Sequence, residues 1–236
     1  MLLAELEVWH SRPIAPTRRV ALGDCHLPTD PAPGPGGLLL GAVLARFAAD
    51  LDRDLHDDML ELMAEVERGV TIGQPRLRHR LQRDRVGLTR SRHRLFQDAD
   101  VLRFSLETAK GNPAQSALAA VYACEKIPLE SRGPVIGVLR KGIDWVGPVG
   151  PGLVDHLVGR EVAERFRSGE YSIASDPLIW ALGVLGLQGE SEPRPREVQK
   201  RYRRLLRDAH PDHGAAEDQA ASRIADLARA REILLS

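Results

Sequence analysis

Three adjacent residues, His210-Pro211-Asp212, follow a stretch at 197–209 that carries cations on one side and apolar residues on the other. Val198, Tyr202, Leu205 and Leu206 recur at helical spacing and form one stripe. Lys200, Arg201, Arg203, Arg204 and Arg207 fall largely outside it, with little acid among them. Pro211 lacks a backbone N–H and disfavours the α conformation at His210, so the helix is predicted to stop there. Beyond a polar turn, Ile224, Leu227, Ala228, Ala230, Ile233 and Leu234 repeat the helical period. The spacing predicts two antiparallel helices with the tripeptide at their tip. Exposed cations on one such face suit an electrostatic, salt-sensitive contact with an acidic surface.

No other group of residues has the spacing that catalysis or metal binding requires. Cys25 and Cys124 are the two cysteines; they are too few for a disulfide scaffold and read as buried free thiols. His10 and His26 lack a second ligand at metal spacing and read as hydrogen-bonding surface histidines. The carboxylates Asp50, Asp54, Asp57, Asp58, Glu61 and Glu65 read as a solvated helix face, since no Asp-rich loop with a central glycine accompanies them. A phosphate-binding glycine loop, a nucleophile elbow and a catalytic acid pair are all missing from the sequence, which predicts no enzyme, no cofactor and no metal site. One basic tract remains, with Arg76, Arg78, Arg80, Arg83, Arg85, Arg90, Arg92 and Arg94 against the single acid Asp84. It reads as a sheet with an arginine-rich polar face that meets the acidic helix, or else as a surface that contacts phosphate or client.

The C-terminal arrangement resembles the J-domain of DnaJ-type co-chaperones over about residues 176–236, a quarter of the chain. Val198, Tyr202 and Leu205 stand as in the family's second helix, which also has a basic outer face. Ile224, Leu227, Ala230, Arg231 and Leu234 follow the register of the third helix, and Leu185-Gly186-Leu187 fits the end of the first. Arg231 stands where the family has an aromatic residue, and the loop at 188–195 is slightly long. With no fourth helix, Gly/Phe-rich linker or zinc module following, the pattern is that of the divergent class with a J-domain alone, at the C-terminus. The resemblance implies that His210, Pro211 and Asp212 deliver the signal that stimulates a DnaK-type (seventy-kilodalton heat-shock) chaperone. It also implies that Lys200, Arg203, Arg204 and Arg207 dock on that chaperone's ATPase. Leu185, Val198, Tyr202, Leu205, Ile224, Leu227 and Leu234 would form the domain's core.

The elements that must carry this region begin far upstream. Residues 2–10 alternate apolar and acidic and read as a strand, and 18–22 as a second. Four prolines and three glycines make 28–37 a loop by composition. Leu40, Leu44, Phe47, Leu51, Leu55, Met59, Leu62 and Val66 predict one long amphipathic helix over 38–68. The arginine tract and 101–106 read as antiparallel strands with a hairpin at 97–100. Asn112-Pro113 opens a helix that runs to about Lys126. Further helices are expected at 131–140, 153–158 and 161–167, with Trp145 anchoring a glycine- and proline-rich loop and a linker at 168–175. The fold class is α+β: a domain at 1–170 with a small antiparallel sheet, then an all-α J-like domain at 176–236.

With 33 basic and 33 acidic residues the net charge is zero, so no bulk attraction to nucleic acid or anionic lipid is implied. The acidic, charge-broken N-terminus is no signal peptide, and no apolar run reaches membrane-spanning length, which predicts a cytoplasmic protein. Two functions follow. In the first, the J-like domain stimulates a DnaK-type chaperone while the N-terminal domain selects a client of unknown identity. The alternative is a nucleic-acid-binding protein that uses 76–94; balanced charge and few aromatic residues argue against it.

Overall fold

A computed structural model describes residues 1–12, 18–51, 53–70, 79–98, 100–108, 112–169, 177–187, 193–209 and 217–235. The chain divides into two compact units, Met1–Ser172 and Ile173–Ser236. Its class is α+β, with the sheet confined to the first unit.

The sheet has the order β3-β2-β1-β4-β5. Its strands are β1 (Leu2–His10), β2 (Arg18–His26), β3 (His79–Leu81), β4 (Thr89–Asp98) and β5 (Val101–Leu106). β1 lies between β2 and β4 and is antiparallel to both, and β5 closes a hairpin on β4. Alternation sorts the side chains. Ala4, Leu6 and Val8 of β1 and Leu95 of β4 enter the core, while Glu5, Glu7, Arg90, Arg92 and Arg94 take the outer face. The predicted all-antiparallel pairing fails at one place. The three-residue β3 runs parallel to β2, because two helices intervene and return the chain to the same end of the sheet.

Those helices are α1 (Gly34–Phe47) and α2 (Arg53–Glu67), and they replace the single helix expected over 38–68. A short 3-10 turn, Ala48–Asp50, leads into Leu51, whose backbone is extended (φ −94°, ψ 146°). An unbroken helix of that length would extend about 45 Å and carry half its apolar stripe past the core. Broken, its halves do different work. α1 is buried on every side except at Arg46, against β1 and β4 on one side and against α3 (Pro113–Ala123), α4 (Leu129–Ile143) and α5 (Pro151–Val158) on the others. α2 stays amphipathic and packs on α3 and α4 through Met59, Leu62, Met63 and Val66. α1 also starts within the expected loop, at Gly34, because glycines there allow backbone approaches that a side chain would block: a Cβ on Gly36 would lie 2.6 Å from the carbonyl carbon of Leu27.

The N-cap of α3 is as read from the sequence. Asn112 Oδ1 accepts from the Ala114 N–H at 2.9 Å, and Gln115 Oε1 accepts from the Asn112 N–H at 3.0 Å. Arg132 of α4 ties helix ends together, donating to the carbonyls of Glu125 (2.7 Å), Ile127 (3.0 Å) and Val66 (3.4 Å). α6 (Arg160–Arg167) completes the first unit. Among its described residues the second unit has three helices, α7 (Pro177–Leu185), α8 (Pro195–Asp208) and α9 (Glu217–Leu235), with α9 packed on both others.

No helix among the described residues is long and apolar enough to cross a membrane.

Candidate functional site

The C-terminal unit is built to hold α8 by one face. At the end of α7 the chain turns through Gly186 at φ +65°, a conformation that favours glycine. The Leu187 N–H then donates to the Leu182 carbonyl (2.7 Å) and the Gly186 N–H to the Gly183 carbonyl (3.1 Å). This is a Schellman cap, and its apolar pair, Leu182 with Leu187, is buried. Leu185-Gly186-Leu187 is therefore a helix stop with a physical basis.

α8 starts with a proline in its first turn and ends at Asp208, where the Ala209 N–H still donates to the Leu205 carbonyl at 2.9 Å. His210, Pro211 and Asp212 lie outside the described residues. Of the expected core, Leu185, Val198 and Leu227 are buried, and Tyr202, Leu205, Ile224 and Leu234 are partly buried against the same cluster. Lys200, Arg203, Arg204 and Arg207 are exposed, and among the described residues none of them has a carboxylate partner. Arg231, which stands where an aromatic residue was expected, places its guanidinium over the Tyr202 ring at 5.2 Å from the centroid. A cation on a ring face supplies contact that a second ring would otherwise make.

The arginine tract resolves differently from expectation. Arg90, Arg92 and Arg94 share one face of β4, but their partners belong to β1 and not to the acidic face of α2. Register sets Glu5 opposite Arg94 and Glu7 opposite Arg92. Arg94 Nε donates to Glu5 Oε2 at 2.6 Å, and Arg92 Nε to Glu7 Oε2 at 3.2 Å. Arg90 and Arg85 place Nη1 at 3.6 and 3.9 Å from the Glu7 carboxylate. α2 packs instead on α3 and α4, where Glu67 pairs with Arg140 at 2.6 Å. Arg76 and Arg78 lie outside the described residues.

Glu7, which the sequence reading did not single out, sits at the centre of this ion-pair cluster. Only 3 % exposed, it also accepts from Trp9 Nε1 at 2.6 Å. It lies flat on the sheet because β2 has Gly23 beneath it; a Cβ there would come within 2.6 Å of Glu7 Cγ. The signal was present in the sequence, since Glu5 and Glu7 alternate in β1 as Arg90, Arg92 and Arg94 do in β4.

The two histidines read as surface groups are buried. His10 Nε2 lies 2.8 Å from Ser91 Oγ, and His26 is buried as well. His93 is fully buried too, with both ring nitrogens unpartnered, and its pKa is lowered to about 4 by burial and then by the charge of His10. Cys124 is buried and its thiol is pushed up to about 12 by burial; Cys25 is only partly buried. Among the described residues no three His, Cys, Asp or Glu side chains gather as a metal ion would need. No family model, curated protein or solved structure matches the chain.

Proposed function

We propose that the chain is a cytoplasmic co-chaperone that binds a DnaK-type chaperone and stimulates its ATP hydrolysis. The observation that carries the reading is the polarity of α8. One face is clasped by α7 and α9, and the other presents Lys200, Arg203, Arg204 and Arg207 with no carboxylate partner among the described residues. Unneutralised cations held on a rigid helix steer a protein towards an acidic surface. That helix runs directly into His210-Pro211-Asp212 in the sequence. In this reading the chain does not hydrolyse ATP itself, and the unit Met1–Ser172 selects a client or a location. Nucleic-acid binding along the arginine tract is the weaker alternative, since Arg92 and Arg94 are already bonded to glutamates.

The test is a single-turnover ATPase assay of the DnaK-type chaperone from the same cell, with and without this protein. The wild-type chain should accelerate hydrolysis, and His210→Gln should abolish the acceleration while leaving thermal unfolding nearly unchanged. Normal stimulation by His210→Gln would sink the assignment.

A further inference from the structure

The outer sheet face holds hydrogen-bonding capacity that its own carboxylates do not use. Glu7 is satisfied by Trp9 through Oε1 and by Arg92 through Oε2. Arg85 and Arg90 sit just beyond hydrogen-bonding range of it, at 3.9 and 3.6 Å, and among the described residues neither guanidinium makes a hydrogen bond. Both guanidiniums lie over the Trp9 ring, at 5.6 and 6.0 Å from its centroid, and both side chains are more than 40 % exposed.

Their placement is built into the backbone. A turn closed by the Leu88 N–H on the Arg85 carbonyl (3.1 Å), with Gly87 at φ +70°, brings Arg85 back over β1. The nearby acids are engaged elsewhere: Asp84 Oδ1 accepts from the Val86 N–H (3.2 Å), and Glu107 Oε2 from the Arg92 N–H (3.2 Å). Three guanidiniums therefore converge beside one buried carboxylate, two of them with free planar donor edges.

We propose that Arg85 and Arg90, beside the Glu7-bonded Arg92, form a site for a compact phosphate-class anion at the Trp9 end of the outer sheet face. Guanidinium donors match phosphate oxygens in pairs, which is why arginines held side by side select this chemistry. The site is a point and not a track, because the next arginine along the strand, Arg94, is bonded to Glu5. The Trp9 ring is covered by cations, so it offers no free platform on which a nucleic-acid base could stack. This site is independent of the co-chaperone reading.

Calorimetric titration of the full chain with pyrophosphate, and separately with inorganic phosphate, at fixed ionic strength tests it. Saturable binding of one anion per chain is expected, weakened about tenfold or more by Arg85→Gln, whose side chain comes from an exposed turn. Arg85→Gln/Arg90→Gln should lose it altogether, while Arg94→Gln should leave it unchanged. Absence of saturable binding, or equal affinity in wild type and Arg85→Gln, overturns the proposal. So does a single-stranded oligonucleotide that binds more tightly than pyrophosphate with affinity rising with length, which would make the face a polymer track.

Discussion

His93 lies in the core of the N-terminal unit with neither ring nitrogen partnered, edge-on to Phe47 at 5.4 Å between ring centroids. Its pKa of about 4 in the folded chain lies below the ordinary 6.5. The unfolded chain therefore binds a proton that the folded chain refuses. The stability this residue allows is complete above pH 6.5 and declines as pH falls from there towards 4. Over that window the loss amounts to roughly 3 kcal/mol for this one group. His93→Leu removes both the titration and the unpartnered nitrogens. It should raise the urea midpoint at neutral pH and flatten the acid limb between pH 6.5 and 4.5 relative to wild type; parallel limbs would show that His93 is not the titrating group. Arg231 offers a second residue-scale test. Arg231→Ala should lower the stability of the C-terminal unit by about 0.5–1 kcal/mol, and Arg231→Phe should restore it, because a ring can replace the cation on Tyr202. Equal midpoints for the Ala and Phe variants would remove Tyr202 from the explanation.

Among the elements, the crossing of α1 and α4 depends on a missing side chain. A Cβ on Gly142 would lie 2.5 Å from the carbonyl oxygen of Gly41, a backbone atom that cannot turn aside. Gly142→Ala should therefore push the helices apart and cost about 1–3 kcal/mol as an overpacked contact. Gly137 sits in the same helix with nothing within 4 Å of the position its Cβ would take. There the same substitution should stabilise by roughly 0.5–1 kcal/mol, since alanine loses less backbone entropy on entering a helix. Thermal unfolding of the two variants should show shifts of opposite sign; shifts in one direction would mean that helix propensity alone governs both sites.

At the scale of the whole molecule, zero net charge hides a local division. The glutamates of β1 neutralise arginines within the first unit, whereas the cations of α8 find no carboxylate among the described residues. If those cations dock on a chaperone's acidic surface, affinity should fall steadily as ionic strength rises. Arg203→Glu/Arg204→Glu should cost more binding than either single change. An isotherm unaltered between low and high salt would show that α8 is not the docking face.

The sequence alone determined the local units, because their causes are local. Alternation marked β1 and the outward arginines of β4, Asn112-Pro113 announced the start of α3, and Leu185-Gly186-Leu187 carried the αL stop of α7 in its own composition. The basic face of α8 was likewise legible, since helical period fixes which side chains share a side. Only tertiary structure decided what those faces meet. Helical spacing ran almost without a break over 38–68, yet the chain breaks at Ala48–Leu51 and packs α2 on α3 and α4, away from the arginines. Strand register between residues more than eighty positions apart placed Glu7 under Arg92, and the pairing of β1 with β2 placed Gly23 beneath Glu7. His10 and His26 looked like surface groups because imidazole is polar, but each is buried, as is His93; strand pairing turned His10 and His93 inward, where residues far along the chain exclude water.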